Sequence, residues 1–143
     1  MFYTANHPTY QLLEHHATAD NSTGVRQLAL QKLARYHHNN INTLATIKTI
    51  AKTDPDARVR VTALVELLRG WKDYPDIFEF FCQRAIYDPY NQNDCFLNNP
   101  RFTALEILIE HYPDQPKTSQ IVHDRAINDL DEQIRGLAQK KLE

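Results

Sequence analysis

Histidine and cysteine are the residues here whose chemistry would matter most, so their spacing comes first. His15 and His16 are adjacent, as are His37 and His38, while Cys82, Cys95, His111 and His123 are scattered over the second half. Neighbours on a helix point about 100° apart and do not converge on one ion. A zinc-binding helix needs ligands four apart, as in H-E-x-x-H, and no C-x-x-C element is present to supply the rest. Cys82 sits in the apolar run FEFFC. These residues are therefore expected to be structural or solvated, with no metal. Nucleophilic catalysis fares no better: Ser22 and Ser119 fall at expected helix ends, and no G-x-S-x-G elbow occurs. Glu14, Glu66, Glu79 and Glu106 are spread over separate helical segments, and no phosphate-binding G-x-x-x-x-G-K-[ST] loop occurs. The sequence predicts a non-enzymatic chain without cofactor.

The residue that does recur at fixed intervals is arginine. Arg26, Arg60, Arg101 and Arg135 are separated by 34, 41 and 34 residues. Three positions after each stands an alanine (Ala29, Ala63, Ala104, Ala138), and seven after each a leucine (Leu33, Leu67, Leu108, Leu142). Ahead of them come Asp20, Asp54, Asp88 and Asp129, each preceded at three residues by alanine and at seven by Leu13, Ile47, Phe81 or Val122. A period in the thirties with this pattern is the mark of a two-helix repeat.

The elements that carry this pattern are amphipathic helices. In DPDARVRVTALVELLRGW, Val59, Ala63, Leu64, Leu67 and Leu68 share one face. Asp54 is expected as its N-cap, Pro55 as its first helical residue and Gly70 as a left-handed C-cap. Working outward, eight helices are predicted: one from about Pro8 to Ala19, then three pairs, then one from about Leu130 to Leu142. The chain thus starts and stops halfway through a pair, which fits either a hairpin counted from its second helix or a piece of a longer array. Gln139, in place of Leu30, Leu64 and Leu105, favours a capped C-terminal end. Thirteen residues separate Asp88 from Arg101 against six between Asp54 and Arg60. The insertion, at about residues 88–100, is rich in Asn and Pro and reads as a loop.

Composition sets wide limits. The length suits a single domain, 1–143, with a real core. A formal charge of −2 provides no basic field for nucleic acid. Two cysteines do not make a disulfide framework. The N-terminal residues lack a secretory pattern, and no run nears the ~20 apolar residues that span a bilayer. The expected setting is the cytoplasm, without membrane attachment.

The frame D-P-D-x-x-V-R-x-x-A-L-x-x-L at Asp54 to Leu67 resembles the HEAT-like repeat family. That resemblance implies an all-α, right-handed α-solenoid of helical hairpins, with an Asp–Arg ladder linking neighbouring repeats. The ladder maps onto Asp20/Arg26, Asp54/Arg60, Asp88/Arg101 and Asp129/Arg135, and the third pair is split by the insertion. Pro100 departs from the pattern, standing where Val25, Val59 and Ile134 precede the other arginines. The stretches RGWKDYPDIFEFFCQRAIYDP, NPRFTALEILIEHYPD and DRAINDLDEQIRGLAQKKL also look like the repeats that follow NACHT-type NTPase domains in some bacterial proteins. There the repeats are thought to sense a ligand and control the NTPase.

Function is expected where the copies differ. Tyr90, Cys95, Phe96 and Leu97 give the otherwise polar inserted loop an apolar tip, and Trp71 ends the second first-helix. Along the second helices, Lys48, Glu79, Gln83, Asp124 and Arg125 are expected to line the inner face. Their mixed signs suit a protein surface better than a phosphate backbone. The leading expectation is a scaffold or regulatory module that binds a protein partner, with nucleic acid disfavoured. A phycobilin lyase-type subunit, which would need a pigment and a partner subunit, is the alternative. A nucleic-acid-binding HEAT protein, which would need a basic face with aromatics, ranks below it.

Overall fold

The computed structural model describes residues 8–92 and 98–143. Among them the fold is all-α, with eight helices: α1 (Tyr10–Ala19), α2 (Thr23–Tyr36), α3 (Thr43–Thr53), α4 (Ala57–Trp71), α5 (Ile77–Tyr87), α6 (Pro100–His111), α7 (Pro116–Asn128) and α8 (Glu132–Leu142). None is long and apolar enough to cross a membrane. The chain divides into two compact units, one running to Gly70 and the other beginning at Trp71.

The helix starts differ from the expected ones in an informative way. Asp54 does not cap α4; it closes α3, its backbone N–H donating to Ile50 O at 3.1 Å. Pro55 lies outside the helix, and Asp56 takes the capping role, accepting Arg58 N–H at 2.8 Å. The same turn occurs four times. Asp20, Asp54, Asp88 and Asp129 each follow a second helix, and each carboxylate accepts the N–H two residues on, from Ser22, Asp56, Tyr90 and Asp131. Ser22, Asn99 and Asp131 then cap the following helices with their own side chains. The short acceptor side chain thus settles two orphan ends with one aspartate and one capping residue. Gly70 is not a left-handed cap: α4 continues through it to Trp71, and no glycine has positive φ. Among the described residues, the one with positive φ is Asp76 (φ 71°), ahead of α5.

In the first unit, α2 packs against both α1 and α3. Leu13 and Ala17 from α1, Ala29, Leu30 and Leu33 from α2, Ile47 and Ala51 from α3, and Ala63, Leu64 and Leu67 from α4 are all buried. Each large side chain so buried contributes about 1.5–3 kcal/mol of transfer free energy. In the second unit α5 packs on α6 and α7 on α8, while α5 also touches α7 and α6 touches α8. That contact pattern sets α5 and α7 side by side in one layer and α6 and α8 in the other. Phe81, Ala85, Ala104, Leu105, Leu108, Val122, Ala126, Ile134 and Ala138 fill the space between. The recurring alanines and the apolar residues seven before each aspartate are therefore core positions in both units. Leu142 breaks the series: it is 43% exposed where Leu33, Leu67 and Leu108 are fully buried.

Candidate protein-binding surface

Four arginines organise the ends of the helix pairs. Arg26 Nε and Nη2 donate to Asp54 Oδ2 and Oδ1 at 2.9 and 3.1 Å, and Arg26 Nη1 donates to Asp20 O at 2.9 Å. In the second unit Arg101 repeats this at the same interval of 28 residues, with 3.1 and 3.2 Å to the Asp129 carboxylate. The backbone anchor recurs at every copy: Arg60 Nη1 donates to Asp54 O at 2.8 Å, Arg101 to Asp88 O at 2.7 Å and Arg135 to Asp129 O at 2.7 Å. Arg26, Arg60 and Arg101 are buried with these partners, where a planar fork satisfies a carboxylate better than an ammonium can. The insertion does not interrupt the scheme. Arg101 reaches Asp88 O across thirteen residues and takes Tyr90 O as well, at 2.9 Å.

Tyr90 is consequently part of the framework, 6% exposed with its backbone held at both N–H and C=O. Trp71 is 2% exposed and presents little indole to solvent. Phe96 and Leu97, expected at the apolar tip of the loop, lie outside the described residues, as does Cys95. Lys48 is partly exposed on α3 of the first unit. In that unit a shallow groove of about 230 Å³ runs between α1 and α3, bordered by Glu14, Thr18 and Thr49.

The remaining expected residues converge in the second unit. Glu79 on α5 accepts from Gln83 Nε2 at 2.9 Å and from Lys117 Nζ, on α7, at 2.7 and 2.8 Å. The Lys117 and Gln83 hydrogen bonds hold the Glu79 carboxyl below its ordinary pKa, and the Glu79 hydrogen bond raises that of Lys117. Asp124 binds Arg125 at 2.6 Å and Asn128 at 2.8 Å, and its pKa is lowered by those contacts. Arg125 turns inward, 12% exposed, and adds a bond to Asp129 Oδ2 at 3.1 Å. It braces the arginine framework and offers little to a partner. Glu79, Gln83, Lys117 and Asp124 thus remain partly open on α5 and α7, with charges of both signs. Two apolar side chains stand at the C-terminal ends of the same helices: Tyr87, 64% exposed, and Ile127, 76% exposed. Sequence reading missed Lys117, Tyr87 and Ile127. Tyr87 was within reach, four and eight residues from Gln83 and Glu79 on one helical face.

The chemistry of the described residues is quiet. No group of three or more His, Cys, Asp or Glu that would hold a metal ion comes together among them. Cys82 is fully buried, and burial pushes its thiol up to about 11. Such a thiol is a poor nucleophile near neutral pH. His123 Nδ1 meets the Ser119 carbonyl at 2.8 Å, and His38 Nε2 the Gly70 carbonyl at 2.8 Å, so both rings are tied to backbone. Comparison with models of known families finds no match, and comparisons with curated proteins and with solved structures find none either.

Proposed function

We propose that this chain is a non-enzymatic protein-interaction module, built as a HEAT-like right-handed solenoid and acting as a scaffold or regulatory part. The repeat reading is supported by the Arg-to-Asp fork, which recurs at the same 28-residue interval in both units with the same donor and acceptor atoms. The observation that carries the interaction reading is the α5–α7 surface. It combines a charged stripe already ordered by its own hydrogen bonds with two exposed apolar side chains, Tyr87 and Ile127.

That combination is suited to recognition. Apolar and aromatic anchors supply most of the energy of a protein interface, while surrounding polar groups fix orientation and exclude wrong partners. Because Glu79, Gln83 and Lys117 hold one another in place, a partner would meet a surface whose side-chain entropy is already partly spent. The mixed signs also suit a protein partner better than a polyanion.

The test is affinity capture from a lysate of the source cells, comparing the wild-type chain with Tyr87→Ser/Ile127→Ser. Circular dichroism first establishes that both are folded. A protein retained by the wild type and lost by the double variant supports the reading. Equal recovery of every retained protein by the two chains would remove the α5–α7 surface from it.

A further inference from the structure

Glu66 departs from the repeat. The corresponding positions, six after each of the other recurring arginines, are Lys32, Ile107 and Lys141. Glu66 is 2% exposed, yet it accepts no hydrogen bond among the described residues. Its Oε2 lies instead 3.8 Å from Arg35 Nη2, on α2, and 3.7 Å from Arg69 Nη1, on α4. Taking a carboxylate out of water is expensive, and ion pairs beyond hydrogen-bond reach recover little of that cost. Core packing alone does not account for an acid here.

The two arginines share this departure. Arg35 and Arg69 stand nine residues after Arg26 and Arg60, in the last turns of their helices, where the third copy has Glu110. Their side chains are 54% and 55% exposed, and neither donates a hydrogen bond among the described residues. One buried carboxylate thus gathers two guanidiniums that would otherwise repel each other, and leaves their N–H groups without a protein acceptor. The contrast with Arg26, whose fork is filled by Asp54, lies within the same unit.

We propose that Arg35 and Arg69 together bind the phosphate group of a phosphate monoester. A carboxylate is satisfied by one guanidinium, as Asp54 is by Arg26. Two guanidiniums drawn to one point call for an anion with at least three acceptor oxygens and more than one charge, which a phosphate monoester supplies. A nucleic-acid strand fits less well. It needs a run of cations along its backbone, whereas Glu66 leaves this cluster of three side chains with a single net positive charge. Glu66 and the negative ends of α2 and α4 also oppose the anion, so the affinity is modest, in the millimolar range. The site belongs to the first unit and stands whether or not the α5–α7 reading holds.

NMR of the arginine Nε–H groups tests it in the folded chain at constant ionic strength. The probes are inorganic phosphate, a short glycine-flanked phosphoserine peptide and acetate. Both phosphate probes are expected to shift the Arg35 and Arg69 signals together and saturably, at least about tenfold more tightly than acetate. Arg35→Gln and Arg69→Gln, each first shown to be folded by circular dichroism, should each weaken phosphate binding at least about tenfold. Lys52→Gln, which removes an exposed cation on α3 of the same unit, should leave it unchanged. Tighter binding of the peptide than of inorganic phosphate assigns the phosphate to a polypeptide, and equal binding assigns it to a small molecule. Phosphate that produces no saturable shift at Arg35 and Arg69 overturns the proposal. So does acetate that binds as tightly as phosphate, or a loss in Lys52→Gln equal to that in the arginine variants.

Discussion

Arg26 and Asp54 are joined by two parallel hydrogen bonds, with both side chains nearly out of reach of water. The desolvation of such a pair consumes much of its Coulombic gain, so the pair specifies geometry more than it adds stability. Removing one partner is a different matter. Asp54→Leu leaves a buried guanidinium with an unmatched fork, and the expected loss is about 3–5 kcal/mol in urea unfolding. Arg26→Met/Asp54→Leu, which removes both charges, is expected to be more stable than the sum of the two single losses. A double-mutant cycle that came out additive would show the two residues to be uncoupled.

Cys82 gives a chemical readout of core integrity. Its thiol, pushed up to about 11 by burial, is thiolate to an extent roughly a hundredfold below that of a free cysteine at pH 8. In a Cys95→Ser background, labelling with a thiol-specific disulfide reagent is expected to be slow in buffer and fast above the urea midpoint. Rapid labelling of the folded protein would show that α5 opens locally.

The Glu79–Lys117 contact predicts a small acid sensitivity with a definite sign. The carboxyl is held below its ordinary value of 4.5 by the Lys117 hydrogen bond first and Gln83 second. A carboxyl depressed on folding stabilises the fold above its unfolded pKa, and that stabilisation is lost as the pH falls through the lower, folded value. Wild type and Glu79→Gln are thus expected to differ in stability at neutral pH and to converge in acid. The pair is about half exposed, so solvent screening keeps the difference small. In parallel, Lys117→Met should bring the Glu79 carboxyl, followed by NMR, back toward 4.5. A carboxyl that titrates at the same pH in both proteins would show that Lys117 is not its main partner.

The repeat was legible in the sequence because its positions are core positions: Ala63, Leu64 and Leu67 are buried for the same packing reason as Ala104, Leu105 and Leu108. The aspartates were legible as fixed points but not in their role. An aspartate before an amphipathic run signals an N-cap, and only the backbone path shows that Asp54 instead closes α3 while Asp56 caps α4. Its arginine partner, 28 residues upstream, lies near the start of α2, and linear spacing alone does not reveal that a carboxylate at the end of α3 returns to it. The surface was harder still. Arg125 and Asp124 are adjacent in sequence, yet one braces Asp129 and the other faces solvent. Tyr90 reads in sequence as part of an apolar loop tip, but its carbonyl is a partner of Arg101.

Gly136 is where the fold leaves room for improvement. It lies inside α8, and a Cβ added there would meet nothing within 4 Å. Glycine in a helix interior costs about 0.5–1 kcal/mol relative to alanine, mainly through the freedom it retains in the unfolded chain. Gly136→Ala is therefore expected to stabilise the chain by about that amount in urea unfolding, with an unchanged m-value. Gly70 is the contrasting case. A Cβ there would come within 3.2 Å of the His38 ring, whose Nε2 meets the Gly70 carbonyl at 2.8 Å. Gly70→Ala must push that ring aside, and the strained hydrogen bond offsets the helix-propensity gain. The expected outcome is a null or negative effect at Gly70 beside a positive one at Gly136. Equal stabilisation at both sites would show that His38 yields freely and that its bond to the α4 backbone adds little.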